Sequence, residues 1–253
     1  MTITFLGTGT SQGVPVIACN CEVCTSADAR DNRLRSSLLI EGSEKVIVID
    51  SGPDFRYQML RANVQRLDAI VFTHEHKDHT AGLDDIRAFN YKQQAPIDVY
   101  ADERVQHALK REFFYIFERH KYPGIPQLTM HTIDREPFHI GQINFIPIEV
   151  MHYKLPVLGF RINDFTYITD AKTVSDEEKE KIKGSKVLVI NALQKQEHIS
   201  HFTFDEAIAF AESIGAEKTY FTHISHRLGK HGDISKILPP NIELAYDGLT
   251  IDV

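Results

Sequence analysis

Thr73-His74-Glu75-His76-Lys77-Asp78-His79 puts three histidines and an aspartate within six residues, directly after the apolar run Leu67 to Phe72. Imidazole nitrogen and carboxylate oxygen suit zinc and similar divalent ions, and a catalytic site leaves one coordination position for water. Side chains spaced this closely cannot all share one face of a regular element. In a loop leaving a strand they can diverge toward two neighbouring ions. Further donors stand elsewhere in the chain, each at the end of an expected strand: His152 after Ile143 to Val150, Asp170 after Phe165 to Thr169, and His223 after Thr219 to Thr222. One strand-end histidine would read as a solvated loop residue; the set, gathered at one edge of a sandwich, reads as a metal centre.

A second constellation is Cys19-Asn-Cys21-Glu-Val-Cys24, which holds all three cysteines of the chain. An odd number is a poor basis for a disulfide framework, and three thiolates are one short of a tetrahedral site. His226, three residues beyond His223, is the best fourth ligand. Three cysteines and a histidine form a closed structural zinc set whose metal contributes directly to local folding. The competing reading is a cluster of buried cysteines without metal.

The elements that must position these groups are short runs rich in Val, Ile and Phe, punctuated by turns. Strands are expected at Ile3 to Gly7, Ser37 to Glu41, Lys45 to Asp50, Leu67 to Thr73, Ile97 to Ala101, Ile143 to Val150, Gly159 to Ile162, Phe165 to Thr169, Lys186 to Ala192, Thr219 to Thr222, Glu243 to Tyr246 and Thr250 to Val253. Asn163-Asp164 and Asp247-Gly248 suit two-residue hairpin turns. Capping-box patterns open helices at Ser175 and Thr203, and Asp102 to Arg119 reads as a third helix before a turn-rich loop at residues 120–126. Mixed hairpins and helices without a linker or repeat imply an α+β sandwich, one domain over residues 1–253.

A length of 253 residues with 42% hydrophobic composition gives a chain long enough for a large buried core. No apolar stretch is long enough to span a bilayer, and the start of the chain reads as a strand rather than a signal peptide, so a cytoplasmic location without membrane contact is expected. The net charge of −7 argues against a long polynucleotide partner, which usually needs a basic face.

His74-x-His76-x-Asp78-His79, His152, Asp170 and His223 match, in order, the signature of the metallo-β-lactamase superfamily, and the resemblance runs from Phe5-Leu-Gly-Thr-Gly-Thr10 to the last strands. It implies an αββα sandwich with the site at the shared edge of both sheets. By that resemblance His74, His76 and His152 hold one metal, Asp78, His79 and His223 hold the second, and Asp170 bridges them. Asp50 in Val-Ile-Asp-Ser-Gly52 would brace the metal loop, because ligands need partners that fix their orientation. The two ions, zinc or manganese, would bridge a hydroxide for hydrolysis.

The Cys-x-Cys-x-x-Cys insertion with a later histidine resembles the PhnP-like branch of metal-dependent phosphodiesterases, and PqqB-like proteins share a similar cysteine set. The resemblance therefore implies a structural zinc at Cys19, Cys21, Cys24 and His226, and hydrolysis of a small phosphodiester of the phosphoribosyl cyclic phosphate kind. A tRNase Z-like nuclease and a non-catalytic PqqB-like metal-binding carrier are the alternatives; a lactonase or β-lactamase would have no use for the cysteine set. A histidine before Asp-Glu-Ala is the catalytic acid of the PhnP pattern, which gives His201 that role, with His198 as its substitute and Asp78 counted with it as catalytic. On residues alone His201 reads equally well as an exposed loop histidine.

Arg33 and Arg35 could meet a substrate phosphate through guanidinium geometry, or form an exposed basic turn. His231 could line the pocket rim or be merely solvated, and His107, His120, His131 and His139 carry no assigned role. The aromatic segment 102–127 departs from the family pattern and could serve as a lid or a homodimer contact.

Overall fold

The computed structural model describes residues 1–118 and 122–253. The first sheet is built from β1 (Thr2–Gly7), β2 (Ser37–Gly42), β3 (Lys45–Ile49), β4 (Ala69–Val71), β5 (Ile97–Ala101) and β6 (Leu128–Thr132). The second follows with β7 (Phe138–Ile140), β8 (Ile143–His152), β9 (Leu155–Ile162), β10 (Phe165–Tyr167), β11 (Thr173–Val174), β12 (Val187–Asn191), β13 (Lys218–Thr222) and β14 (Ile242–Leu244), before β15 (Thr250–Asp252) returns to pair with β1. The first sheet runs β15-β1-β2-β3-β4-β5-β6; the second runs β11-β8-β9-β10-β12-β13-β14, with β7 beside β8.

Alternation along the strands builds four layers. In β3, Ile47 and Ile49 point into the core between the sheets while Val48 packs under the helices outside. In β12, Val189 faces the other sheet and Leu188 and Ile190 face the second helical layer. Both faces are covered, so these strands read as continuous apolar runs rather than alternating ones. The outer layers include the helices Phe55–Arg61, Arg87–Gln93 and Glu103–Glu112 on one side and Asp176–Ile182 and Phe204–Ile214 on the other. The result is the αββα sandwich expected from the sequence.

Strand direction then decides where the polar residues gather. β3 and β4 are parallel, so Asp50 and the His74 loop leave the same edge. β10, β12 and β13 are parallel, and β8 shares their direction because β9 runs antiparallel to both β8 and β10. His152, Asp170 and His223 therefore sit at one edge of the second sheet. Backbone bonds join the two edges there: Leu158 donates to Thr73 at 3.1 Å, and Ile224 donates to Thr8 at 2.9 Å.

Several expectations are corrected. Asp247-Gly248 is not a hairpin turn, because β14 and β15 belong to different sheets. The Asp247 carboxylate is instead a junction that accepts from the Thr8 amide and hydroxyl and from the Leu34 amide. The Asp102 to Arg119 helix is shorter: Asp102 caps Glu103–Glu112, Phe113 leaves helical geometry, and a separate turn covers Phe114–Phe117. Its aromatic run is contiguous rather than spaced at helical period, so Ile116 is buried while Phe114 is 59% exposed. Residues 119–121, including His120 and the start of the expected loop, lie outside the described residues. Short elements without a strong period, such as Phe55–Arg61 and Leu128–Thr132, were not expected from the sequence. Among the described residues no helix is long and apolar enough to cross a membrane.

Candidate metal centre and active site

Asp50 leaves β3 with a left-handed backbone (φ 63°), a conformation few non-glycine residues adopt without a surrounding structure that enforces it. Its carboxylate accepts from the Thr73 amide at 2.9 Å, the Thr73 hydroxyl at 2.8 Å and His79 Nδ1 at 2.7 Å. The Thr73 hydroxyl, having given its proton to Asp50, accepts from His74 Nδ1 at 2.9 Å. One buried carboxylate thus fixes the tautomer of both rings and turns both Nε2 atoms inward. This is the bracing role the sequence assigned to Asp50, acting directly on His79 and through Thr73 on His74.

Across the edge, His152 Nδ1 donates to the Ser200 carbonyl at 2.8 Å, which leaves its Nε2 with a free lone pair. Asp170 and His223 also take left-handed backbones, φ 57° and 53°. Each ends a strand by swinging its side chain toward the opposite sheet. Asp170 Oδ2 lies 3.3 Å from both His79 Nε2 and His223 Nδ1, and Oδ1 lies 3.0 Å from His201 Nε2. Asp78 Oδ2 is 3.1 Å from His79 Nε2. The His76 ring stands 4.7 Å from that of His74 and 5.2 Å from that of His152. The seven residues marked in the sequence are thus drawn together at one edge of the sandwich, His76 joining the set through the His74 and His152 rings.

The donor set fits divalent ions. His74 Nε2 and His79 Nε2 are buried and have no hydrogen-bond partner among the described residues, although carboxylate oxygens lie close to His79. Burial holds His74, His152 and His223 below the usual histidine range, His223 down to about 4, so these rings are neutral and keep a lone pair for a metal. His79 goes the other way: burial opposes its charge, but Asp78, Asp170 and Asp50 outweigh burial and raise its pKa well above the usual value. Burial likewise opposes ionisation of Asp170, and the pull of the facing His223 and His79 rings, with hydrogen bonds from His201 and His79, overcomes it. Carboxylates crowded into a buried space demand positive charge, which divalent ions would supply.

The thiolate set also converges. His226 Nδ1 is 3.3 Å from Cys19 Sγ and 3.4 Å from both Cys21 Sγ and Cys24 Sγ. One ring nitrogen carries at most one hydrogen and cannot bond three sulfurs together. Equal separations describe the corners of a tetrahedron, whose sulfur–nitrogen edge around zinc is about 3.5 Å. Amides of Cys24 and Val16 point at Cys21 Sγ and Cys24 Sγ, a contact suited to thiolate. The Cys24 amide draws the Cys21 thiol down to about 6, while burial pushes Cys24 up to about 11, so a bound cation would be needed to ionise the whole set.

Other expectations fall outside the site. Arg33 is 4% exposed and donates to the Thr8 hydroxyl, the Ala245 carbonyl and the His231 ring. His231 is 5% exposed. Neither can touch a substrate; they hold the first strand against the end of the chain, since a buried guanidinium must have its donors satisfied. Arg35 is half-buried and committed to Asp54 at 3.0 Å and to the Ser11 carbonyl. The 102–127 segment braces the metal loop at its start: Arg104 pairs with Glu75 at 2.9 Å and bonds the Pro156 carbonyl, and Lys77 pairs with Glu112.

Sequence reasoning overlooked Asn191. Its side chain bonds both the amide and the carbonyl of Ala171, fixing the turn that carries Asp170. The available signal was a polar residue closing the apolar run Val-Leu-Val-Ile-Asn191.

Residues 45–224 match the β-lactamase superfamily domain. An octanoyltransferase of Porphyromonas gingivalis is 40% identical over 98% of this chain and 51% of its own length. Coenzyme PQQ synthesis protein B of Methylorubrum extorquens is 30% identical over 40% of this chain and 37% of its own. The chain thus spans about half or less of the length of these curated relatives. Among solved structures, a new diphosphatase from the PhnP family superimposes with a TM-score of 0.94 at 39% identity, covering 100% of this chain and 97% of that one. Zinc-bound PqqB from Methylobacterium extorquens superimposes with a TM-score of 0.82 over 100% of both chains at 18% identity, a likeness of fold.

Proposed function

The chain belongs to the metallo-β-lactamase superfamily and, within it, to the PhnP family, and on that premise we propose that it is a metal-dependent hydrolase of small phosphodiesters. The observation that carries this reading is Asp170, whose two oxygens reach His79, His223 and His201 together. His74, His76 and His152 would hold one divalent ion and Asp78, His79 and His223 the other, with Asp170 between them. Such ions acidify a water and take up charge developing on a phosphoryl group. His201 is the proton donor for the leaving alkoxide: Nε2 faces the centre, and Nδ1 lies 3.1 Å from His198 Nδ1 and from the Ser200 hydroxyl, which orient the ring. Thr203 caps the eleven-residue helix Phe204–Ile214 directly after it, so the His201 backbone is held against a rigid element.

Hydrolysis of a diphosphate is a second reading, favoured by the likeness to the PhnP-family diphosphatase. The two differ in what His201 must do, because a phosphate leaving group is a far weaker base than an alkoxide and needs less protonation.

The test is a panel on metal-loaded protein: bis(p-nitrophenyl) phosphate, a 2′,3′-cyclic nucleotide, a ribosyl cyclic phosphate, a dinucleoside diphosphate, a lactone and a pre-tRNA. Compact phosphodiesters should give the highest kcat/KM, and chelation should abolish turnover. Preference for the lactone or the pre-tRNA would overturn the reading, and metal binding without turnover of any substrate would favour a PqqB-like carrier.

Cys19, Cys21, Cys24 and His226 would hold a structural zinc that ties the 19–24 loop to the segment bearing His223. Cys21→Ser is expected to lower bound metal by about one ion and to cost several kcal/mol of stability, since structural zinc binding is worth ~10 kcal/mol or more in small domains. Metal analysis and thermal unfolding would check this, and unchanged metal content would discard the site.

A further inference from the structure

The ion assigned to His74, His76 and His152 would draw its ligands from both sheets, two from the loop after β4 and one from the end of β8. Its site exists only where the two sheet edges keep a fixed separation. Asp50 does not set that separation, because its carboxylate holds Thr73 and His79 directly and His74 through Thr73, all carried by the first sheet. We propose that Arg104 is the positioning residue that does so: its guanidinium clamps the His74–His79 loop to the β8–β9 hairpin and thereby governs the affinity of that one ion.

Arg104 lies in the first turn of the helix Glu103–Glu112, whose Val105 and Leu109 are buried against the first sheet. Its Nε donates to Glu75 Oε2 at 2.9 Å, and its Nη2 donates to the Pro156 carbonyl. Glu75 stands between the ligands His74 and His76. Pro156 pairs with Met151 in the β8–β9 ladder, one step from the pair His152–Leu155. One planar group therefore touches the immediate neighbourhood of all three ligands. The base of the side chain is steadied as well: Asp102 caps the helix through the Val105 amide at 2.7 Å and keeps its other oxygen 3.6 Å from Arg104 Nη2.

The clamp extends a seam that the backbone begins. Leu158 donates to the Thr73 carbonyl at 3.1 Å, a direct bond between the sheets. Two residues further along each segment, at Pro156 and Glu75, the guanidinium takes the place of such a bond. Lysine could not do the same, since an ammonium on a flexible stem lacks the fixed fork that serves two acceptors at once. The other end of the helix supplies a contrast. Glu112 pairs with Lys77, which stands between His76 and Asp78, but Lys77 is 62% exposed and this pair joins the loop to its own sheet's helix alone. Only the Arg104 end bridges the sheets.

The inference rests on the two-ion reading for which ligands share an ion, and binding tests it without turnover. With the thiolate zinc in place and the centre emptied by chelation, Mn²⁺ would be titrated and the free ion followed by its electron paramagnetic resonance. Manganese prefers nitrogen and oxygen donors to thiolates, so the cysteine set should not compete. In Arg104→Ala one of the two dissociation constants should rise by about tenfold or more, the scale of losing a partner that orients ligands, while the other should change by less than about threefold. Arg104→Lys should recover only part of the loss, and Glu112→Gln should leave both constants unchanged. Glu75→Ala should weaken the same constant by less than Arg104→Ala does, and the double variant should match Arg104→Ala, because the two groups act through one contact. Thermal unfolding of the metal-free proteins should shift by no more than about 3 °C, since an ion pair this exposed contributes little by itself. Unchanged constants in Arg104→Ala, or equal weakening of both together with a large loss of stability, would overturn the positioning role. If the unaltered protein bound a single Mn²⁺, the two-ion reading would fail, and the effect of Arg104→Ala on that one constant would still decide the clamp. Absence of phosphodiester turnover would sink the proposed activity and leave these constants untouched.

Discussion

Asp170→Asn is expected to lower kcat/KM on a small phosphodiester by roughly a thousandfold or more, the scale on which loss of a preorganised charge at a reacting centre is felt. The amide conserves volume and can still face His201, so the packing of β10 and β12 should survive. What it cannot supply is a negative oxygen shared between His79 and His223, both within 3.3 Å of Asp170 Oδ2. The carboxylate is ionised in the folded protein despite burial, so the substitution removes a charge that the site is built around. Metal analysis should show weakened retention alongside the kinetic loss. A variant with unaltered metal content and activity within a few-fold of the parent would remove Asp170 from the centre.

His201→Ala should separate substrates by leaving group. General acid catalysis commonly contributes about 10²–10⁴-fold, and only where the departing oxygen is basic enough to need the proton. Turnover of an alkyl or ribosyl diester should therefore drop by roughly two to three orders of magnitude, while bis(p-nitrophenyl) phosphate should lose less than about tenfold, because nitrophenolate departs unaided. A diphosphate substrate should resemble the nitrophenyl ester, so the same variant discriminates the two readings of function. Equal losses across leaving groups would mean that His201 supports the geometry of Asp170, which it contacts at 3.0 Å, rather than donating a proton.

The two variants probe different atoms of one contact. If Asp170→Asn abolishes metal retention while His201→Ala leaves it intact, the centre and the acid are separable. If His201→Ala also strips metal, the His152, Asp170 and His201 neighbourhood holds an ion in its own right, as the closeness of those three groups permits.

Chemistry was legible in this chain wherever it was written in residue type and short spacing. The run His74 to His79, the cysteine triplet and the polar residue closing each apolar strand identified the donors, because metal coordination needs particular atoms and a β-strand delivers them at its end. The α+β sandwich followed from mixed hairpins and helices without a linker, and its αββα layering from the family resemblance, whereas strand directions came only with the structure. The tertiary structure alone decided which polar groups face inward. Arg33 and His231 look like substrate contacts in the sequence and are buried against one another, whereas Asn191 looks incidental and holds the Asp170 turn. The left-handed backbones of Asp50, Asp170 and His223 could not be read from composition, since no local preference puts them there. Such conformations, and the charge balance around His79, exist only once segments distant in the chain, such as those bearing Asp50, His79 and Asp170, press together, when burial and neighbouring charge outweigh what each residue prefers alone.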